Sequence, residues 1–476
     1  MDTLNGLLAR ERELSSHIVE MQDSLSTVRV RIAEILNLNR TAGTYNLPNE
    51  TLSAIFEAGL FETPSPSKDV RQNWYLLEDE SLGPPFEILV SSVSRRWRNV
   101  ALQTPRLWTV LEIDVGCSTH DLLDLYLRRS KACLLDITLL NLTPTTQLPL
   151  DSNAGSDPNL KECLDRLIPH VERWRKLVIS NGTVRSPAAV FSALTPVCAP
   201  ALETLVLNFS GSKRPMMDLF SGGAPRLSTV ELTGVYFVPP PHAVKFAKLR
   251  TGRNFWLNYA EMSQIILPMR SLLHLQMDSK IVADDAAVPA NHALIELPSL
   301  LSLDIYIIDT VGPLRFLDLP KVRILTIRGC FSTIINALAQ HRHIYPRVRS
   351  LKLVAEYDYN YDTSASAVLD MISCFPNIRD ITFQGADPTH ILNILHDHKR
   401  TDDLPWPHLS AITVKAAIGA KVASKKQMWA CVVKVVDNRR QLGIPISQLK
   451  LSSQIVERGT ERQKQRLKEL VILTEC

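Results

Sequence analysis

Histidine pairs are the residues of this chain whose type and spacing come nearest to a chemical site. His341 and His343 are two positions apart, as are His396 and His398, and His390 lies near the second pair. An H-x-H pair can bind a metal on a strand, but these pairs fall in predicted helices or loops and lack a second ligand cluster. We therefore predict surface or helix-end histidines and no metal site.

Other signatures of catalysis are missing from the sequence. It contains no phosphate-binding loop, no dinucleotide fingerprint, no G-x-S-x-G nucleophile elbow and no H-E-x-x-H helix. Acidic residues are abundant, but none forms a recognisable dyad. We predict a protein that is not an enzyme and that uses no cofactor.

Composition sets the broad class. A chain of 476 residues with 45% hydrophobic residues can form two or three domains with a sizeable core. The net charge of +4 is too small and too evenly spread to indicate nucleic-acid binding. There is no apolar run long enough to span a membrane and no signal peptide, and the eight cysteines form no C-x-x-C pair. We expect a cytoplasmic or nuclear protein, or one found in both compartments.

A heptad pattern runs through the beginning of the chain. Apolar residues alternate at spacings of three and four, which is typical of a coiled coil, and only Glu11 interrupts them. Two interpretations stay open: self-association through residues 4–35, or a helix that buries its stripe on its own chain. The apolar positions are Leu4, Leu7, Leu14, Ile18, Met21, Leu25, Val28, Ile32 and Ile35.

Two short segments then carry a different helical signature. Leu47-Pro48 opens the first, because proline fixes φ and lacks an N–H that the first turn would leave unpaired. An apolar stripe follows at helical spacing, formed by Leu52, Ile55, Phe56 and Leu60. In the second segment one helical face is predicted for Val93, Trp97, Val100 and Ala101. Thr104-Pro105 ends that helix, since the residue before proline avoids the α region.

Taken in order, the patterns LP-x-E, I-F, VSRRWR-x-VA and TP-x-LW resemble an F-box. The resemblance covers about residues 46–112 and is to the F-box-like proteins that are numerous in fungi, with Ser94 where many F-boxes carry cysteine. It implies docking on the Skp adaptor of cullin-type ubiquitin ligases through an apolar ridge. The implied adaptor-binding residues are Leu47, Pro48, Leu52, Ile55, Phe56, Val93, Arg96 and Trp97. Residues 62–84, which are rich in proline, interrupt the module and are predicted to form a surface loop.

The rest of the chain repeats the pattern apolar-x-x-apolar-x-apolar. Clear copies begin at Leu202, Leu227, Leu272, Leu300, Val322, Val348, Ile378 and Leu409, weaker ones begin at Trp174 and Ile446, and a degenerate unit is expected near Leu249. Proline stands two residues before the first apolar position in seven units, where we expect it to open a strand. One short strand and one helix-like segment per unit resemble a divergent leucine-rich-repeat solenoid. The alternative is an α/β sheet with unequal crossovers.

The middle position of each apolar-x-apolar strand should face outward. Residues there are mostly polar, with acidic residues early in the array and basic residues late. Either a partner with the opposite order of charges binds this face, or the order has no meaning for binding. The candidate target-binding residues are Glu231, Asp304, Arg328, Lys352 and Lys415.

We therefore predict an α/β protein in which an N-terminal helix and a small all-α F-box-like module precede a curved leucine-rich-repeat-like solenoid. The predicted segments are a heptad helix at 1–40, the F-box-like module at 41–112, a connecting region with an early strand at 113–170, the solenoid at 171–455 and a C-terminal cap at 456–476. The resemblance implies a substrate-recognition adaptor of a Skp–cullin–F-box ubiquitin ligase, with the Skp adaptor and an unknown protein target as partners. The alternative function is a non-catalytic interaction scaffold that never joins a ligase.

Overall fold

The structure is a computed structural model. It describes residues 4–38, 46–62, 85–115, 121–140, 158–181, 188–209, 218–238, 243–250, 259–278, 294–307, 314, 316–341, 344–355, 364–385, 388–397, 404–415, 422–457 and 459–475. The chain divides into two compact units. The first comprises residues 1–109 and 125–133, and the second comprises residues 110–124 and 134–476. Most of the predicted loop at 62–84 lies outside the described residues.

Helices make up most of the described part of the first unit and alternate with strands in the second. They are α1 (Leu4–Leu38), α2 (Asn49–Glu62), α3 (Phe86–Val93), α4 (Arg95–Gln103), α5 (Asp121–Arg129), α6 (Pro158–Leu167), α7 (Ala188–Leu194), α8 (Tyr259–Ile266), α9 (Phe331–His341), α10 (Ala365–Ser373), α11 (Thr389–His396), α12 (Val422–Gln441), α13 (Ser453–Val456) and α14 (Glu461–Leu470). Short 3-10 turns cover Pro105–Trp108 and Ile168–Arg173. None of the helices described is long and apolar enough to cross a membrane.

The module of the first unit is built from α2, α3 and α4. Their apolar side chains meet in one core formed by Leu52, Phe56, Val90, Val100, Ala101, Leu107 and Trp108. The Trp108 indole N–H donates to the Ala101 carbonyl oxygen at 2.9 Å, so the largest core residue also has its polar atom satisfied. The 3-10 turn that begins at Pro105 brings Trp108 back under α4.

The second segment of the F-box-like pattern is two helices rather than one. Ser94 is extended, with φ −156°, and its hydroxyl accepts the Trp97 N–H at 3.1 Å, so α4 starts at a serine cap. Val93 is the last residue of α3. The prediction that Val93 shares a helical face with Trp97 is therefore wrong, because the cap breaks the helix between them.

Strands follow one another through the second unit. They are β1 (Val110–Asp114), β2 (Leu135–Leu140), β3 (Trp174–Asn181), β4 (Thr204–Phe209), β5 (Thr229–Thr233), β6 (Phe246–Arg250), β7 (His274–Asp278), β8 (Ile295–Glu296), β9 (Ser302–Ile307), β10 (Leu317–Asp318), β11 (Ile324–Gly329), β12 (Ser350–Ala355), β13 (Asp380–Gln384), β14 (Ala411–Lys415), β15 (Gln448–Leu451) and β16 (Ile472–Glu475). Fourteen of those described form a single sheet in chain order, and β8 and β10 form a separate pair.

Every neighbouring pair in the large sheet is parallel, and the repeated apolar positions are in register. Leu325 of β11, for example, lies beside Leu303 of β9 and Leu351 of β12. Burial alternates along the strands, so the apolar residues fill the interior beneath the sheet. The predicted α/β fold with a repeat-like array is confirmed, and a curved solenoid is compatible with this strand order. The sheet extends beyond the predicted 171–455, from Val110 to Glu475.

The prolines that recur two residues before the apolar pattern lie in turns that precede the strands. The sequence pattern predicted that they would open the strands themselves. Pro200 follows Ala199, whose carbonyl oxygen accepts the Leu202 N–H at 3.2 Å. The same bond spans Pro225, Pro298, Pro320, Pro346 and Pro407. Proline therefore sits at the second position of a β-turn, where its fixed φ fits, and the strand begins a few residues later.

Candidate docking surfaces

Helix α2 presents one side chain of the predicted adaptor-binding set to solvent and buries two others. Ile55 is 47% exposed, whereas Leu52 and Phe56 are each 1% exposed and belong to the module core. Leu47 is half-buried and Pro48 exposed at the start of α2, where the Pro48 carbonyl oxygen accepts the Leu52 N–H at 3.0 Å. Leu52 and Phe56 can thus support a docking surface from below, while Ile55 can belong to it.

Trp97 fixes α4 to α2. Its ring packs on Phe56, with centroids 4.9 Å apart and an interplanar angle of 54°, and its side chain is half-buried. An aromatic pair in a tilted geometry gains about 0.5–1.5 kcal/mol beyond the area that it buries. The exposed part of Trp97 remains available to a partner.

Arg96 ties the start of α2 to the start of α4. Its guanidinium donates to the Leu47 carbonyl oxygen and to the Asn49 side-chain oxygen, the latter at 3.1 and 3.2 Å. These bonds hold the Leu47-Pro48 segment against α4. Arg96 is half-buried and therefore positions part of the predicted surface.

Helix α3 adds two exposed apolar residues to the first unit. Val93 is 56% exposed, and Leu89, one turn earlier, is 47% exposed. Sequence reasoning missed Leu89 because it assigned no helix to residues 86–93. The apolar spacing of Phe86, Val90 and Val93 was the signal that could have found this helix.

The second predicted surface is the open face of the large sheet. The outward residues of successive strands lie in one register row, with Val206 beside Glu231, Gln276 beside Asp304 and Thr326 beside Lys352. The row continues to Thr382, Thr413 and Lys450. Its described members from β4 to β14 are half-buried, as expected for side chains standing on a sheet beside their neighbours.

Ion pairs along this row neutralise the acidic residues of the candidate target-binding set. Asp304 accepts two bonds from Arg328, at 2.8 Å from Nε and 2.6 Å from Nη2. Glu231 pairs with Lys248 at 3.1 Å. Lys248 belongs to the degenerate unit and was missed, although counting outward from Leu249 would have found it. The predicted order of acids before bases is thus largely cancelled in its first half.

Lysines remain toward the end of this face: Lys352 and Lys450 lie in the row, and Lys415 lies two residues beyond Thr413 on β14. The side chains of Lys352 and Lys415 make no hydrogen bond and no ion pair with the described residues. Burial lowers the pKa of Lys352, and the neighbouring cations Arg328 and Lys415 lower it further. A cation held among other cations is stabilised by an anion, so this half of the face favours acidic ligands.

The described residues hold no group of three histidine, cysteine, aspartate or glutamate side chains that could bind a metal. His390 is exposed at the start of α11, and His396 lies 3.1 Å from Asp397 at the end of the same helix. The side chains of His341, His343 and His398 lie outside the described residues.

Comparison with known proteins identifies no family for this chain. No protein-family profile matches it, and no curated protein matches it. A chain of the crystal structure of the yeast Rad7–Elc1 complex is similar at 14% identity and a TM-score of 0.29, over 88% of this chain and 96% of that chain. A similarity of that strength assigns neither a family nor a function.

Proposed function

We propose that this protein is a non-catalytic substrate receptor of a Skp–cullin–F-box ubiquitin ligase. The helical module docks the Skp adaptor, and the open face of the sheet binds a protein target. A separate enzyme then transfers ubiquitin to the target, because tethering raises the effective concentration of the two. The resemblance of residues 46–112 to an F-box is the starting point of this proposal.

The observation that supports docking most directly is the exposure of apolar side chains on a module that already has its own core. Ile55 and Val93 are about half exposed, although Phe56 and Val100 of the same module are buried. Exposed apolar side chains on a small helical unit support docking, since burying them in a complex would contribute about 25 cal/mol per Å².

Binding to a Skp adaptor tests the first half of the proposal. We expect the full chain to co-purify with the adaptor and to bind it measurably by calorimetry. The substitutions Ile55→Asp and Val93→Asp should each weaken binding on the order of tenfold or more, since a charge would be buried in an apolar interface.

A matched control separates docking from a general effect of added charge. Ile344 of the second unit is 58% exposed, so Ile344→Asp introduces the same change outside the module. It should leave adaptor binding unchanged. Failure of the intact protein to bind the adaptor would overturn the proposal and favour the scaffold that never joins a ligase.

The second half of the proposal concerns the target. Lys352, Lys415 and Lys450 stand on the same face with Thr382 and Thr413 between them. Ammonium and hydroxyl groups suit an acidic segment of a target, because they offer donors and positive charge.

Affinity purification followed by mass spectrometry tests target binding. The variant Lys352→Glu/Lys415→Glu should lose proteins that the wild-type chain captures but should retain the adaptor. As a control, Lys434→Glu/Lys468→Glu makes the same charge change at exposed helical positions and should retain both. Identical captured sets from all three chains would contradict target binding at this face.

A further inference from the structure

The apolar seam of α1 is exposed along its described length. Seven seam residues are each about half exposed or more, with Met21 the most exposed at 73%. They are Leu14, Ile18, Met21, Leu25, Val28, Ile32 and Ile35. The other described side chains of α1 are exposed as well, so the described residues of the first unit leave this stripe uncovered.

A stripe of this kind requires a partner. Helix α1 has 35 residues and is therefore about 50 Å long. Most helical stability in proteins comes from packing an apolar face. A heptad seam is complementary to a second seam of the same period, which favours a second copy of this chain.

We propose that two copies of this protein pair through α1 in antiparallel orientation. This orientation places position a of one helix beside position d of the other. Ile18 then lies beside Met21 of the second copy, Leu14 beside Leu25, and Glu11 beside Val28. Every described seam residue from 11 to 28 has a partner in this arrangement, and the interruption at Glu11 falls near the end of the pair.

Charge favours this orientation. In the antiparallel pair Glu11 lies beside Val28 of the second copy, which Arg29 and Arg31 flank at positions e and g. A parallel, in-register pair would place Glu11 against Glu11 of the second copy, with only Arg10 beside them. In that pair Arg29 and Arg31 would meet heptad positions that carry serine and leucine. Arg10 adjoins Glu11 in both orientations, and the antiparallel pair adds two cationic neighbours from the second copy and no acidic one.

The sizes of the seam residues point the same way. In a parallel pair each seam residue would pack on its own counterpart. Layers of Leu25 at position a would then alternate with layers of Val28 at position d, and layers of Ile32 with layers of Ile35. Leucine or isoleucine at a with a β-branched residue at d favours three or four strands. In the antiparallel pair Val28 meets Glu11 and Leu25 meets Leu14, so neither residue faces its own counterpart.

Sedimentation of the full chain at micromolar concentrations tests pairing. We expect a dimer that Ile18→Glu/Leu25→Glu converts to a monomer. Val30 is 58% exposed on the opposite side of α1, so Val30→Glu is the matched control and should leave the dimer intact. A monomeric wild-type chain, or a dimer that survives Ile18→Glu/Leu25→Glu, would overturn the proposal.

Charge reversal tests the orientation. Arg29→Glu/Arg31→Glu should raise the dissociation constant on the order of tenfold or more, because Glu11 would then face two acids. Glu11→Arg should do the same, and mixing the two variants should restore a dimer. Glu34→Gln removes only the Arg31–Glu34 pair within one helix, at 3.0 Å, and should have little effect. A dimer that Arg29→Glu/Arg31→Glu leaves unchanged would overturn antiparallel pairing.

Discussion

Trp97 of α4 rests on Phe56 of α2, with ring centroids 4.9 Å apart, and this contact joins the two segments of the F-box-like pattern. Phe56 is buried, while Ile55 next to it in sequence points to solvent. Phe56 therefore belongs to the core of the module, and Ile55 belongs to the surface that can bind a partner. The position of Trp97 depends on where α4 begins, which the Ser94 cap determines.

Ser94→Ala should destabilise the start of α4 by about 1 kcal/mol, because the Trp97 N–H loses its acceptor. Hydrogen exchange of the α4 amides measures this loss locally. Ser92→Ala is the control, since the Ser92 hydroxyl only donates to the Ile88 carbonyl oxygen of its own helix. Equal exchange in the two variants would show that Ser94 does not act as a cap.

Gly385→Ala should destabilise the second unit by about 2 kcal/mol or more. Its φ is +77°, and an added Cβ would lie 2.2 Å from the Ala355 carbonyl oxygen of the preceding strand. Gly443 has nearly the same φ, +78°, but open space around the Cβ position. Gly443→Ala should therefore cost only the strain of a left-handed alanine, about 1–2 kcal/mol. Denaturant unfolding compares the two, and a larger loss for Gly443→Ala would contradict the contact.

Arg439→Ala should cost about 3 kcal/mol or more. Arg439 is fully buried in α12 and donates to the carbonyl oxygens of Trp406, at 2.8 Å, and of Pro405. Burial lowers its pKa to about 10. Removal leaves a cavity and an unpaired carbonyl. Arg439→Met should cost less, because it fills most of the volume and removes a buried charge.

Thermal unfolding measures the effect of these Arg439 substitutions. Arg440 is exposed on the same helix, and Arg440→Ala should change stability by no more than about 0.5 kcal/mol. Similar losses for Arg439→Ala and Arg440→Ala would show that the buried guanidinium does not hold the 405–406 turn.

Cys163 should resist alkylation while Cys198 reacts. Cys163 is buried in α6, and burial raises its pKa to about 12, whereas Cys198 is exposed. Because the unfolded thiol ionises near pH 9, the folded state binds more protons above that pH. The contribution of Cys163 to stability is therefore present below pH 9 and is lost as the pH rises toward 12. Cys163→Ala should flatten this decline, which unfolding measured between about pH 8 and 12 would show. Peptide mapping after alkylation compares the reactivity of Cys163 and Cys198.

The strands of the repeats could be predicted because each carries its own local signal. Period-two burial places Leu303 and Ile305 beneath the sheet, and the phased prolines mark the turn before each strand. Strands β1 and β16 were missed, since neither follows a proline-marked turn with the full apolar pattern. The boundary at Ser94 was missed because serine fits both a helix interior and a cap.

The predicted sites depend on register, which spacing gives only in part. Sequence spacing placed Asp304 and Lys352 on one face, and the strand register agrees. The bidentate bond between Asp304 and Arg328 joins residues 24 positions apart, and no local pattern indicates it. Burial of Leu52 under Ile55 likewise follows from how α2 packs on α4. The assignment of these residues to adaptor and target binding stays a prediction.

In the large sheet each strand touches only the strands before and after it in the chain. Stability in such an array is close to a sum of nearest-neighbour terms, so damage stays local. Loss of a terminal strand should fray the end without melting the middle, and an inserted loop should disturb only the junction that it enters. Such an architecture can lengthen or shorten by whole units as it evolves, which lets the breadth of a recognition surface change while the helical module stays constant.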